Sequence, residues 1–372
     1  MSYGGLGNCE IRIRLAKLLS DLLPDDITGF LFPSGGSEAN EAAIRIARRF
    51  TGRSKIMNFY RSYHGGSPGG LQATGDFRRN FGENAGTLPG FVKTFNPLDT
   101  LGQFSFGNDA EKTQNALAFL EDQIIMEGSD TIAAIMIEPI IGSGGVYVAP
   151  PAYMEGVREI CDRYQILMIA DEVMVGFGRT GTFWGFQNYD VVPDIVTSAK
   201  GLTGAYLPLS MVACRTHIKE YFENNALGWG ATYHAHPVAM ACSYEVIKYM
   251  LEENILHHTN ENIEPALKAG IERLCKHKYV SDHGRFIGAF GCVDLLGKDY
   301  KPVQHLNGSA CSAPNAIHNL RASLRDKGIY GLFRPPLFHC APPLVISPEE
   351  LTEGFDRVDE ALHEYSNAVE KS

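Results

Sequence analysis

The sequence predicts an α/β fold: a mostly parallel central sheet flanked by helices, with a smaller C-terminal α+β domain after it. Three observations carry this. Residues 131–138, 166–172 and 195–200 are short apolar runs without polar alternation, as expected of strands buried on both faces of a parallel sheet. Segments with helical spacing separate such runs. The runs end at Glu138, at Asp171-Glu172 and at Lys200, and ligands of such sheets bind at the carboxyl ends of strands.

From the N-terminus, residues 10–20 have Ile11, Leu15, Leu18 and Leu19 on one helical face. Residues 27–32 read as a strand, 33–36 as a Pro-Ser-Gly-Gly turn, and Ser37 opens a helix to about Phe50. A strand over 55–59 precedes Tyr63-His64-Gly65-Gly66. A helix over 151–164 separates the first two buried runs, and another begins near Pro237. After residue 253 the pattern changes: 256–277 helical, 285–295 a strand, 314–327 and 348–368 helical. The expected domains are 1–252, large and cofactor-binding, and 253–372, small and α+β.

Composition bounds the function. The chain has 372 residues, 44% hydrophobic, enough for a sizeable core. Its net charge of −10 argues against nucleic-acid binding. The 8 cysteines form no C-x-x-C pair, and His234 and His236 lack Cys or acidic partners, so no metal site is expected. No apolar run is long enough for a bilayer and no signal-peptide pattern opens the chain. The expectation is a reduced, cytoplasmic protein, with an organelle matrix as the alternative.

The chemistry centres on Lys200 and Asp171. They lie at the ends of successive buried runs, so neighbouring strands would bring them into one crevice. A lysine that forms an imine, facing an acid that keeps a pyridine nitrogen protonated, is what pyridoxal phosphate (PLP) requires. A helix cap or ion pair is the plain alternative for Asp171. The Gly-rich turn of residues 33–40 would offer helix N-terminal amides to a phosphate, while Ser37 could merely cap that helix. Tyr63 could stack on a flat cofactor or be an ordinary loop aromatic. Gly176-Phe-Gly178-Arg-Thr-Gly181 fits a dinucleotide fingerprint, but residues 182–190 (TFWGFQNYD) lack helical periodicity, so nicotinamide binding is rejected.

With these residues in view, the chain resembles the class III (omega) aminotransferases over nearly its whole length. The matching segments are 34–40 (SGGSEAN), 63–66 (YHGG), 137–146 (IEPIIGSGGV), 170–181 (ADEVMVGFGRTG), 193–202 (PDIVTSAKGL), 231–239 (ATYHAHPVA) and 341–346 (APPLVI). The resemblance implies fold type I, PLP, and a homodimer with shared sites. It implies that Gly35, Gly36 and Ser37 hold the phosphate, that Tyr63 stacks on one ring face with His64 beside it, and that Val173 packs on the other. Asp171 would pair with the pyridine nitrogen, Glu138 would support the site, and Lys200 would hold the cofactor covalently and move protons. Thr232 would reach the neighbouring subunit's phosphate. The family also carries a further N-terminal segment ahead of the position of Met1, which lines the pocket and forms dimer contacts.

The implied reaction is ping-pong transfer from an amine donor to a 2-oxo acid. Gly66 stands where ornithine- and 4-aminobutyrate-type members have arginine, and Ser143 where they tend to have glutamate. Both tilt towards the pyruvate-using branch, which acts on beta-alanine, taurine or simple amines. Arg334 is the candidate for the substrate carboxylate, with a surface ion pair as its alternative. The competing readings are aminomutase, racemase or decarboxylase chemistry on the same scaffold, and a truncated relative without activity.

Overall fold

The computed structural model describes residues 9–83, 86, 88–97, 107–304 and 310–371. Along the chain run α1 (Glu10–Leu22), β1 (Ile27–Leu31), α2 (Gly36–Thr51), β2 (Lys55–Phe59), α3 (Pro68–Ala73), α4 (Arg79–Glu83), β3 (Phe91–Thr94) and α5 (Asp109–Glu127). Next are β4 (Ile132–Ile137), two short strands β5 (Ile140–Ile141) and β6 (Tyr147–Val148), α6 (Pro151–Tyr164), β7 (Leu167–Asp171) and β8 (Ile195–Ser198). Then come β9 (Met211–Arg215), α7 (Thr216–Asn224), α8 (Pro237–Glu252), α9 (Ile255–His258) and α10 (Glu264–Leu274). The chain closes with β10 (Arg285–Ile287), β11 (Phe290–Asp294), α11 (Pro314–Asp326), β12 (Phe333–Arg334), β13 (Leu337–Cys340) and α12 (Pro348–Lys371).

Two compact units result. One holds Met1–Ile141, Val148–Phe177 and Phe183–Glu253. The other holds Asn254–Ser372 and two short excursions, Gly142–Tyr147 and Gly178–Thr182, which a single boundary at 252/253 leaves out.

In the first unit a seven-stranded sheet has the order β1-β9-β8-β7-β4-β2-β3. Its pairings from β8 through β7, β4 and β2 to β3 are parallel, whereas β9 is antiparallel to both β1 and β8. Every residue of β4 and β7 is buried, which explains their unbroken apolar sequence. α2 packs an alanine-rich face on the sheet: Ala39, Ala42, Ala43 and Ala47 meet Ile56, Ala134, Ile169 and Ile195. Small side chains let helix and strands approach closely. Gly52, left-handed at φ 70°, ends α2 after Arg48 and Arg49, which suit the negative end of its dipole.

In the second unit the antiparallel order is β10-β11-β13-β12. Leu267, Ile271 and Leu274 of α10 share its core with Val293, Leu320, Phe355 and Leu362. Two expectations need correction. The single helix over 256–277 breaks into α9, a π turn (Thr259–Ile263) and α10, because Pro265 in the first turn of α10 has no N–H for the regular ladder. The single strand over 285–295 is a hairpin, with Gly288 turning the chain at φ 55°. Among the described residues no helix is long and apolar enough to cross a membrane.

Candidate active site

Parallel pairing of β7 and β8 sets Asp171 opposite Thr197, at the carboxyl end of the sheet. The Asp171 side chain is 3% exposed and accepts three hydrogen bonds. Asn40 Nδ2 donates to Oδ2 at 2.8 Å, His64 Nδ1 to Oδ2 at 2.7 Å, and the Val173 amide to Oδ1 at 3.0 Å. Asn40 is itself pinned. Its Oδ1 accepts from Thr197 Oγ1 at 2.7 Å and its Nδ2 also donates to the His64 carbonyl at 2.7 Å. These contacts fix which way the amide faces. His64 is therefore a buried holder of the Asp171 carboxylate. Its Nε2 is buried without a hydrogen-bond partner.

The start of α2 lies against the loop of residues 63–66. Gly35 is the extended residue before the helix, and no side chain caps it. Ser37 is not the cap but a first-turn residue, and its Oγ accepts from the Gly66 amide at 3.1 Å. The first-turn amides of α2 have no intrahelical acceptor and point outward with the positive end of the dipole. Two glycines permit this packing. A Cβ on Gly36 would come 2.7 Å from Val173 Cγ1, and one on Gly65 2.4 Å from Ser37 Oγ, at a φ of 135°.

Glu138 comes directly after β4, is buried, and accepts from the Tyr63 amide at 2.8 Å. The guanidinium of Arg78 lies 3.5 Å from the Tyr63 ring centroid, and Arg78 Nε donates to Asp76 Oδ2 at 2.7 Å. β8 ends at Ser198, short of the expected Lys200. Lys200 instead opens a 3₁₀ turn (Lys200–Thr203), is exposed, and adopts a left-handed φ of 43°. A non-glycine residue held there stores strain, a feature common where a side chain must be aimed. Thr232 is exposed on a turn ahead of α8. Arg334 belongs to the second unit, on β12.

The structure thus brings Gly36, Ser37, Tyr63, His64, Glu138, Asp171 and Val173 into connected contacts. The sequence alone did not single out Asn40 and Thr197 as holders of Asp171, nor Arg78. The signal for Asn40 was one amide within an alanine-rich helical face. In the glycine motif of residues 176–181 no helix opens at Gly181. Gly178 and Gly181 have φ of 85° and 82°, and Arg179 donates to the carbonyls of Ala289 at 2.8 Å and Pro342 at 2.7 Å. The adjacent Glu172 accepts from the amides of Gly185 at 2.7 Å and Phe186 at 2.8 Å, and burial pushes its carboxyl up to about 8.

Residues 2–362 match the family model "Aminotransferase class-III". The chain belongs to the class III aminotransferases. It is 33% identical to a taurine–pyruvate aminotransferase of Bilophila wadsworthia, over 96% of this chain and 80% of that one. It is 30% identical to a putrescine–pyruvate aminotransferase of Pseudomonas aeruginosa, over 96% and 78% respectively. The crystal structure of taurine:2-oxoglutarate aminotransferase from Bifidobacterium kashiwanohense, in complex with PLP and glutamate, is 38% identical. It superposes with a TM-score of 0.91, covering 98% of this chain and 81% of that one.

This aminotransferase therefore has fold type I and uses PLP. The residues present fit that cofactor. Asp171 receives three donors, and a carboxylate has about four acceptor positions, so it retains capacity for a protonated ring nitrogen. The start of α2 suits a phosphate.

Proposed function

We propose that this aminotransferase transfers the amino group of an omega-amino acid or simple amine, such as taurine or beta-alanine, to pyruvate or another 2-oxo acid. The reading adds ping-pong order, Lys200 as the cofactor's attachment point, and Asp171 as the partner of its pyridine nitrogen. One observation carries it: a buried carboxylate steered by Asn40, His64 and Val173 at the carboxyl end of β7. β8, its parallel neighbour, leads directly into Lys200.

PLP supplies a carbonyl that captures an amine and a ring that disperses charge from the substrate carbon. The protein's part is orientation and proton movement. Asp171 keeps the ring nitrogen protonated, and Asn40 and His64 keep Asp171 aimed. The amides of Gly36 and Ser37, with Gly35 leaving space beside them, would hold the phosphate, joined by Thr232 of a second copy in a homodimer. Val173 and Tyr63 would hold the cofactor ring, while Glu138 fixes Tyr63 by its amide. Lys200 Nζ, released once the incoming amine has displaced it, would take a proton from the substrate carbon and return one, serving as base and then acid. Arg334 grips a carboxylate or sulfonate in this reading. Gly66 and Ser143 support the taurine and beta-alanine branch by leaving out side chains that other branches use, and the taurine-acting relatives agree with it.

Borohydride reduction of the PLP-loaded enzyme and then peptide mapping test the attachment point. The label is expected on Lys200, and a label on another lysine refutes the assignment. A panel of taurine, beta-alanine and simple amines against pyruvate and 2-oxoglutarate tests the substrates. Turnover of 2-amino acids alone would overturn the omega assignment.

A further inference from the structure

The second unit carries a cluster that amino-group transfer does not use. His277 lies just past the end of α10, and Asp359 and His363 lie one turn apart on α12. His277 Nε2 is 2.9 Å from Asp359 Oδ1, and His363 Nε2 is 3.6 Å from Asp359 Oδ2. One ligand atom from each residue can be chosen so that all three lie within 4.8 Å of one another. The two imidazoles meet edge to face, with ring centroids 4.5 Å apart. The His277 side chain is 5% exposed, that of Asp359 28% and that of His363 71%, so the cluster is closed on one side and open on the other.

An ion pair requires one imidazole for one carboxylate. Here two imidazoles converge on opposite oxygens of the same carboxylate, and packing sets their approach. α10 and α12 are so close that a Cβ on Gly270 would come 2.2 Å from a ring carbon of Phe355. A tetrahedral zinc shell with bonds of about 2.0–2.1 Å spaces its ligand atoms roughly 3.3 Å apart. His277 Nε2 and Asp359 Oδ1, at 2.9 Å, already lie near that spacing, and His363, whose exposed side chain can turn, keeps a ligand atom within 4.8 Å of both. Arg273 is the competing cation, with Nε 3.7 Å from Asp359 Oδ1. Its Nη1 donates to Asp356 Oδ1 at 2.7 Å, so Asp356 balances Arg273 and Asp359 adds the negative charge a divalent ion needs.

We propose that His277, Asp359 and His363 form a binding site for a divalent transition metal of the zinc class, with water completing its shell. The ion would tie α12 to the chain segment just past α10. Two imidazole nitrogens favour zinc, nickel or copper over magnesium or calcium. Both rings must present a lone pair to the ion. The sequence held no metal motif because His277 lies 82 residues from Asp359, which shares α12 with His363.

The test is calorimetric titration of the PLP-loaded enzyme, freed of metal by a chelator, with Zn²⁺. His363→Ala is the main variant, because its exposed side chain is dispensable for packing, and Asp359→Asn is the second. The wild type is expected to bind one Zn²⁺ per chain more tightly, by at least ~10-fold, than either variant. Zn²⁺ should raise the melting temperature of the wild type and not of His363→Ala. Mg²⁺ should do neither, and amine transfer without Zn²⁺ should be equal in wild type and His363→Ala. Identical Zn²⁺ isotherms for wild type and His363→Ala overturn the proposal. Equal binding of Mg²⁺ and Zn²⁺ does so too.

Discussion

Asp171 and Asp194 lie at opposite ends of the same parallel strands and are held in opposite ways. Asp194, just ahead of β8, meets two arginines: Arg158 Nη1 at 2.8 Å and Arg215 Nε at 3.1 Å. The Met168 amide at the start of β7 adds a third bond at 2.7 Å. At the other end Asp171 receives an amide side chain, an imidazole and a backbone N–H, with no arginine. A carboxylate locked between guanidiniums is committed to holding its neighbours. One oriented by Asn40, His64 and Val173 is aimed yet able to accept a cationic partner. A cavity of about 430 Å³ opens beside Asp194, lined by Arg53, Arg158 and His217 among others. Arg53 there is committed to the carbonyls of Ser129, Ile132, Tyr164 and Gln165.

Substitutions at the two ends should separate activity from stability. Asp171→Asn is expected to lower kcat/KM on the order of 10³-fold, a loss within the range of a group that tunes proton transfer. Its melting temperature should stay close to wild type, because asparagine can retain a bond from Asn40 or the Val173 amide. Asp194→Asn should do the reverse: urea unfolding should show a loss of about 3 kcal/mol, since Arg158 and Arg215 lose the buried carboxylate they share. Turnover per folded molecule should be unchanged. Activity loss at Asp194 with full stability would break the contrast.

Asn40→Ala should cost about 10-fold in kcat/KM, the value of one hydrogen bond to a charged group, while His64 keeps part of the orientation. No effect would show that His64 suffices alone. The smallest signal is a slope. Burial raises the Glu172 carboxyl from its ordinary 4.5 to about 8. Between those values the folded chain keeps a proton that the unfolded chain has lost, so stability falls as pH rises from 4.5 to 8 and levels off above. Glu172→Gln should remove this component from the pH dependence of unfolding, and an unaltered slope would place its origin elsewhere.

Much of the fold could be read because burial on both faces leaves a plain mark. β4 and β7 are wholly buried, and their apolar runs stand out. β3 left no apolar run, since only one of its four residues is buried, and β9 was not read although four of its five are. α5 announces itself only through the Asn108–Glu111 capping box, a signal too local to mark a helix without a clear apolar stripe behind it. At the site, Asp171 was found because it ends a buried run. Its holders were not, because Asn40 and Thr197 become neighbours only when α2 settles on β8. Ser37 was weighed as a cap from its position in the motif, yet the helix begins one residue earlier at Gly36.

The central claim is that Asp171 carries the charge facing the ring nitrogen of PLP. NMR of enzyme reconstituted with PLP labelled with ¹⁵N at that nitrogen reads its protonation directly. Wild type and Asp194→Asn should both show a protonated nitrogen, and Asp171→Asn an unprotonated one. A protonated nitrogen in Asp171→Asn, or an unprotonated one in the wild type, would contradict the account.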